Sequence, residues 1–310
     1  MKYDVICVGM ALVDSIIRGF NPEPVSASGY VAESGSLAAG GEAVNEAVAA
    51  AKLGMKTGIF CALGEDGAGE IVLNELKRNG VDTSLVVRTA GTPVTPMFVR
   101  ADGTRKSVTN QAHRFNFHPE RDPSLFTDAK AVILGSLFRA PFDDPAIIRA
   151  VVDHAKAAGQ TVVADTKLPN FRFLELGDIR ESLPDIDWIT PNEDEARWFT
   201  GREEPEAMAD VFLSHGVNNV IIKLGAGGCL LKNRDMKLRL PGLPVRAVDA
   251  TGAGDNFVAG FVSEMLRGSA REDALRFANA CGALCTTAVG AGTALKNREQ
   301  VLELMAQYTA

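Results

Sequence analysis

The 310-residue sequence predicts an α/β protein with a mostly parallel central sheet flanked by helices. Three observations carry this. Apolar runs of strand length recur along the chain: YDVICVG, TGIFCALG, AVILGS, TVVAD, DWIT, NVIIKLG and GCLLK. Several are apolar nearly throughout, as strands covered on both faces are. Helical patterns separate many of them, and strand–helix alternation is the sequence form of a parallel sheet with crossover helices.

The elements follow in chain order. Residues 42–53 place Ala43, Val44, Ala47, Val48 and Ala51 on one helical stripe. Residues 70–78 carry a second stripe, stopped at Gly80. Residues 144–158, 193–200 and 205–215 read as further helices, and the last third becomes mainly helical over 254–266, 272–289 and 298–308. One stretch breaks the rhythm: residues 85–109 read as short β pieces with a turn at Ala101-Asp102-Gly103. Residues 18–36 are rich in Gly, Pro and Ser. The two insertions are expected to pair into a small β flap over one end of the sheet. The expectation is a single domain over 1–310 with lid segments at about 15–36 and 90–112.

Composition narrows the function. The chain is 46% apolar and 23% charged, with a formal net charge of −7, which argues against a surface that coats nucleic acid. No run of about 18 uncharged apolar residues marks a membrane span. The opening MKYDVICVGMALVD reads as a strand rather than a secretory signal, so a cytoplasmic location is expected. Five cysteines, Cys7, Cys61, Cys229, Cys281 and Cys285, form no CxxC and predict buried thiols rather than disulfides or a metal site.

The strongest chemical signal is Val248-Asp249-Ala250-Thr251-Gly252-Ala253-Gly254-Asp255-Asn256-Phe257. Small residues lead into an apolar-periodic segment with Val258, Phe261, Val262 and Met265 on one stripe, so a loop opens a helix here. Gly252 and Gly254 allow close backbone approach. Free amides at a helix start suit phosphate oxygens or the charge on a transferring phosphoryl. Asp255, in the first turn, can accept a proton from an attacking hydroxyl. The plainer reading is a capping aspartate and two turn glycines; the flanking Asp249 weighs against it.

The string DATGAGDNFVAGF resembles the C-terminal signature of the PfkB/ribokinase-like carbohydrate kinases, and the resemblance runs over roughly residues 3–305. It implies a ribokinase-like three-layer fold and transfer of the γ-phosphoryl group of ATP to a hydroxyl of a small sugar. It also implies that Asp255 is the catalytic base and that Gly252, Ala253 and Gly254 form the anion hole. A second segment, Ala39-Gly40-Gly41-Glu42-Ala43-Val44-Asn45, is similar to the family's N-terminal motif, in which Gly40, Gly41 and Asn45 would hold sugar hydroxyls. Asn45 can donate to and accept from a diol. Alone, the segment reads equally well as an alanine-rich helix packed on the sheet. Glu42 departs from the usual Lys or Pro.

Weaker matches keep the family's order. GMALVD, ending at Asp14, looks like the strand whose aspartate binds substrate, although aspartate after a strand is also an ordinary turn residue. Asn192 and Glu195 resemble an N-x-x-E segment that would organise Mg²⁺ through water; an N-cap with acidic residues in the first turn explains them equally. Lys223 to Gly228 resemble the loop lining the nucleotide, which would place Lys223, Gly225, Gly228, Thr251 and Asn279 on ATP, with adenine near Ala278, Asn279 and Gly282. A glycine-rich hairpin turn is the alternative. Relatives also bind K⁺ beside the anion hole, at positions matching Asp249, Thr251 and the loop 289–293.

The acceptor is less legible. Thr166-Lys167 stands where relatives acting on sugar acids or fructose often carry Asp-Pro-Asn, which counts against those acceptors. Arg139 and Lys167 follow strand ends at the expected active-site edge. They would bind a carboxylate or phosphate on the acceptor, or pair with acids on a surface or on the ATP side; the latter is favoured. Arg100, Lys106, His113 and Arg114, on or after the lid, read either way. A nucleoside kinase or a phosphosugar kinase of the same fold is the alternative to a sugar kinase. A homodimer through an exposed lid strand is a further expectation. A dinucleotide-binding oxidoreductase lacks its GxGxxG after the first strand.

Overall fold

The computed structural model describes residues 1–19, 31–100, 105–126 and 128–308. The expected turn at 101–103 and most of the segment 18–36 lie outside the described residues. The elements are β1 (Tyr3–Val8), β2 (Leu12–Arg18), β3 (Ser34–Gly40), α1 (Glu42–Lys52), β4 (Thr57–Phe60), β5 (Ala62–Gly64), α2 (Gly67–Arg78), β6 (Val87–Thr89), β7 (Val94–Val99) and β8 (Arg105–Ser107). They continue with β9 (Ala129–Leu137), α3 (Pro145–Ala157), β10 (Thr161–Thr166), β11 (Trp188–Ile189), α4 (Glu193–Thr200), α5 (Pro205–Ser214), β12 (Asn219–Lys223), β13 (Cys229–Asn233), β14 (Lys237–Leu240), α6 (Ala253–Leu266), α7 (Arg271–Cys285) and α8 (Arg298–Ala306).

Eight strands form the main sheet in the order β14-β13-β12-β11-β10-β9-β1-β4. From β12 to β4 every pairing is parallel; β13 and β14 close the edge antiparallel. Strand residues alternate between two apolar cores, as the period of two dictates. Val5, Cys7, Ile133, Val163 and Ile221 pack toward α1, α2, α6, α7 and α8. Ile6, Val8, Leu134, Ala164 and Ile222 pack with Ile148 of α3, Ala196 of α4 and Phe212 of α5. The five cysteines are buried and unpaired, and Cys7, Cys61, Cys229 and Cys281 lie in the first core. No described helix is long and apolar enough to cross a membrane.

A second sheet, β3-β2-β7-β8, draws on both insertions. β2 runs antiparallel to β3 and parallel to β7, in a register that sets Asp14 between Ala38 and Thr95. Two expectations shift. The run 57–64 is two strands, because β1 ends opposite Phe60 and the chain then pairs Ala62–Gly64 with β6. The helix expected over 272–289 stops at Cys285, because the next carbonyl, that of Thr286, accepts from the amides of Val248 and Asp249 at 2.7 and 3.1 Å. That contact straps the end of α7 to the loop before α6.

Candidate active site

The carboxyl ends of β1, β9, β10 and β12, the start of α4, the starts of α1 and α6, and the inner face of the small sheet enclose one cleft of about 540 Å³. An α/β sheet of this topology presents its ligands at that edge.

The α6 end is built from a strapped loop. Asp249 Oδ1 accepts from the amide and hydroxyl of Thr251 at 3.0 and 2.7 Å, and Oδ2 accepts from the Gly290 amide at 2.9 Å. Asn256 Nδ2 donates to the carbonyls of Gly252 and Ala291 at 2.8 and 2.9 Å. Gly252 caps α6 with φ 76°, and a Cβ there would lie 2.3 Å from that of Ala291, so only glycine fits this left-handed turn. The first amides of a helix have no intrahelical acceptor. Those of Gly252, Gly254 and Asp255 meet no protein acceptor among the described residues. Gly254 faces Lys223: a Cβ at 254 would stand 3.2 Å from the lysine Nζ.

Asp255 is 7% exposed in the first turn of α6, and its Oδ2 accepts from Asn45 Nδ2 at 2.7 Å. Burial, then the negative charge of Glu42, push its carboxyl up to about 7, against the opposing pull of Lys167. A carboxylate poised there exchanges protons at physiological pH. Around it lie paired charges. Lys223 Nζ donates to Asp165 Oδ1 at 2.5 Å, and Thr190 Oγ1 donates to the same oxygen at 2.8 Å. Burial disfavours the Lys223 cation, but Asp165 and Glu195 raise its pKa on balance. Lys167 meets Glu42 Oε1 at 2.8 Å while Ser136 Oγ donates to Glu42 Oε2 at 2.5 Å. Burial would raise the Glu42 carboxyl, yet these partners hold it down to about 2.

The residues singled out in the sequence divide as follows. Asp14, Gly41, Asn45, Asn192, Glu195, Lys223, Gly225, Thr251, Gly252, Gly254 and Asp255 all line the cleft. Asn45 donates from its amide nitrogen to Asp255, orienting that carboxylate, and itself lines the cleft. Gly40 serves its own chain: a Cβ there would strike Asp14 Oδ2 at 2.4 Å. Asn192 and Glu195 form a reciprocal capping box on α4 at 2.9 Å each way, and Glu195 Oε2 also accepts from Thr166 Oγ1 at 2.8 Å. Capping and cleft position therefore coexist. Gly228 and Asn279 do not reach the cleft lining: a Cβ at 228 would collide with the Leu240 carbonyl at 2.0 Å, and Asn279 Nδ2 donates to the Pro241 carbonyl at 3.2 Å. Ala278 is fully buried in the core. Arg139 and Lys167 both line the cleft; Lys167 pairs with the acidic Glu42, as the favoured reading expected, whereas Arg139 meets no carboxylate among the described residues.

The sequence reading missed the Asp165–Lys223 pair, the Glu42–Lys167–Ser136 cluster and Glu46. Glu46 is 0% exposed on α1, and neither carboxyl oxygen has a hydrogen-bond partner among the described residues. Burial, with Asp165 and Asp255 nearby, raises its pKa well above the ordinary range, so it stays protonated. Apart from Glu46, the missed residues stand at strand ends or the start of α1, a position that could have flagged them.

Metal fit was tested on the donor set. No group of three or more His, Cys, Asp or Glu side chains that could hold a metal ion exists among the described residues. Mg²⁺ is commonly held by one or two carboxylates, waters and substrate phosphates rather than by a protein cage. Glu195, reinforced by Asn192, fits that role.

Comparison with known proteins places these features in a family. Residues 3–298 match the description "pfkB family carbohydrate kinase". A ribokinase of Haemophilus influenzae is 31% identical over 275 residues, covering 87% of this chain and 88% of that protein. A probable fructokinase-5 of Arabidopsis thaliana is 31% identical over 318 residues, covering 97% of each. The structure of Arabidopsis thaliana ribokinase complexed with ribose and ATP superposes with a TM-score of 0.85 at 28% identity, covering 98% of this chain and 99% of that one.

Proposed function

The chain belongs to the pfkB family of carbohydrate kinases and is an ATP-dependent sugar kinase, and on that premise we propose that Asp255 deprotonates the acceptor hydroxyl while the amides at the start of α6 receive the transferring phosphoryl group. One observation carries the reading: a carboxyl raised to about 7 and a row of amides without acceptors among the described residues meet at the start of one helix.

The roles follow from the geometry. Asn45 fixes one oxygen of Asp255, leaving the other to face the acceptor. Asp14 receives sugar hydroxyls across the cleft, set there by its packing on Gly40. The hydroxyl loses its proton to Asp255 as it attacks the γ-phosphorus of ATP in line, and the bond from that phosphorus to the β–γ bridging oxygen breaks, releasing ADP. Negative charge gathering on the equatorial oxygens is met by the amides of Gly252, Gly254 and Asp255, with Lys223 beside them. Glu195 and Asn192 would hold the water shell of Mg²⁺, which would neutralise phosphate charge when bound with ATP. A monovalent cation beside the loop would be met by backbone oxygens, since both Asp249 oxygens already brace the loop. The small sheet acts as a lid that excludes water, the competing acceptor. A cytoplasmic setting accords with five reduced, buried thiols.

The test is Asp255→Asn. Turnover of ATP with an accepted sugar should fall by about 10³-fold, within the range general-base removal produces, while the ATP-induced rise in melting temperature persists. Turnover within tenfold of wild type would remove Asp255 from the mechanism.

A further inference from the structure

The acceptor end of the cleft has a charge imbalance that the kinase reading does not explain, and the inference drawn from it rests on that reading. We propose that the acceptor is an anionic sugar, bearing a carboxylate or a phosphate, and that Arg114 and Arg139 bind this group beside the small sheet.

Both arginines line the cleft, and neither has a carboxylate within ion-pair distance among the described residues. Arg114, only 7% exposed, donates from Nε to the Asn110 carbonyl at 2.6 Å and from Nη2 to Thr95 Oγ1 at 2.6 Å. Arg139 donates from Nε to the Leu168 carbonyl at 2.6 Å. All of these acceptors are neutral. They hold each guanidinium in place and leave Nη1 of Arg114 and both Nη atoms of Arg139 for a ligand. Elsewhere in the cleft the cations are spoken for: Lys167 by Glu42 and Lys223 by Asp165. Burial and the like charge of Arg139 act against the Arg114 cation, and Glu42 and Asp14 temper this from beyond contact distance. Desolvated cations without a counter-charge are unfavourable, and a bound anion relieves that.

The backbone gives a second, independent observation. The residue before each arginine lies in the left-handed region, His113 at φ 61° and Phe138 at φ 76°, and Ser136 joins them at φ 70°. Non-glycine residues seldom adopt this conformation, and it concentrates at ligand clamps. At the turn before Arg139 it is braced by hydrogen bonds from the Phe138 amide to the Phe142 carbonyl and from the Arg139 amide to the Ser136 carbonyl, both 2.9 Å. The effect is to aim two forked donors into one space, the arrangement that reads a carboxylate or phosphate through paired hydrogen bonds. Met10, Leu12 and Ala140 form a small apolar cluster at the same end.

The experiment measures kcat/KM with ATP for ribose and fructose, their terminal monophosphates, and the hexonates gluconate and ketodeoxygluconate; the phosphate and carboxylate arms separate the two sources of charge. At least one anionic acceptor should exceed its neutral counterpart by about tenfold, and Arg139→Gln should cut that ratio by about tenfold or more, mainly through KM. Arg114→Lys, which keeps the charge but loses the fork, should cut it less. ATP-induced thermal stabilisation reports that each variant is folded. Neutral sugars preferred by wild type, or a ratio untouched by Arg139→Gln, overturn the inference while leaving the kinase reading intact. If no sugar is phosphorylated, the kinase reading fails, and calorimetric titration of the anionic sugars decides this inference. Binding weakened about tenfold by Arg139→Gln supports it, and no binding overturns it.

Discussion

The two ends of the cleft handle charge in opposite ways. At the α6 end the cation is matched: Lys223 is buried against Asp165, and the loop is braced by Asp249 and Asn256. At the small-sheet end Arg114 and Arg139 have, among the described residues, only neutral partners. The chemistry end is thus preorganised without ligand, as stabilising a developing charge requires. The acceptor end is incomplete without it, as discrimination among substrates requires.

The comparison breaks most severely if the matched pair is dispensable. Lys223→Met leaves Asp165 as an uncompensated buried charge and should destabilise the protein by about 3–5 kcal/mol, measured by denaturant unfolding. A loss under 1 kcal/mol would mean that water reaches this pair and that the α6 end is less preorganised than drawn. Gly254→Val tests the amides themselves. Its Cβ would sit 3.2 Å from Lys223 Nζ, and its two methyl groups would crowd the phosphoryl position. Turnover should drop by about 10²-fold, comparable to losing one donor of an oxyanion hole. Near-normal turnover would take this loop out of the phosphoryl site.

The two ends also differed in legibility. The α6 end is contiguous from Asp249 to Asn256, so composition and the switch to helical period exposed both the loop and its base. The acceptor end is assembled from Asp14, Arg114, Arg139 and Lys167, brought together only by strand order. At Arg139 and Lys167 the position after a strand was visible, but the direction of the side chain was not: a turn with Phe138 at φ 76° aims Arg139, and no sequence pattern marks such a turn. Gly228 and Asn279, expected on ATP, lie outside the cleft lining. A glycine required by the Leu240 carbonyl cannot be told from one required by a nucleotide until the antiparallel β13–β14 edge is known. That edge was itself missed, since Lys237–Leu240 is too short and polar to stand out. The alternation of apolar strands and helices, by contrast, gave the sheet correctly because burial on both faces writes itself into every strand.

A smaller effect sharpens the link between the ends. Glu42, at the start of α1, is clasped by Lys167 and Ser136 and adds negative charge beside Asp255. The base must be ionised to act, so kcat/KM should fall as pH drops through about 7. Glu42→Gln removes one charge that raises the Asp255 pKa and frees Lys167, which lowers it. Both changes favour the ionised base. The acidic limb of the pH–rate profile should therefore move to lower pH, with a rate change of less than about tenfold on the plateau. A limb that stays in place would show that burial alone sets the Asp255 pKa.

The smallest expected effect concerns Glu46, which lies beneath both ends. It is wholly buried on a helix covered on all sides, so a glutamate that reads as a solvated helix position has no solvent and no described partner. Its folded pKa is raised above the ordinary 4.5. Below that value folded and unfolded states are both protonated, and it has no effect on stability. As pH rises past it, the unfolded chain releases the proton while the folded one keeps it, and stability is lost. Glu46→Gln abolishes this loss. The glutamine amide meets the same bare surroundings, so the informative quantity is not its melting temperature at one pH but the difference from wild type across pH. That difference should shift in favour of the variant by about 1.5 °C between pH 4 and pH 7 for each kcal/mol involved. A difference independent of pH would mean that Glu46 ionises in the folded protein, and that a cation or water beneath the cleft supplies the partner the protein does not.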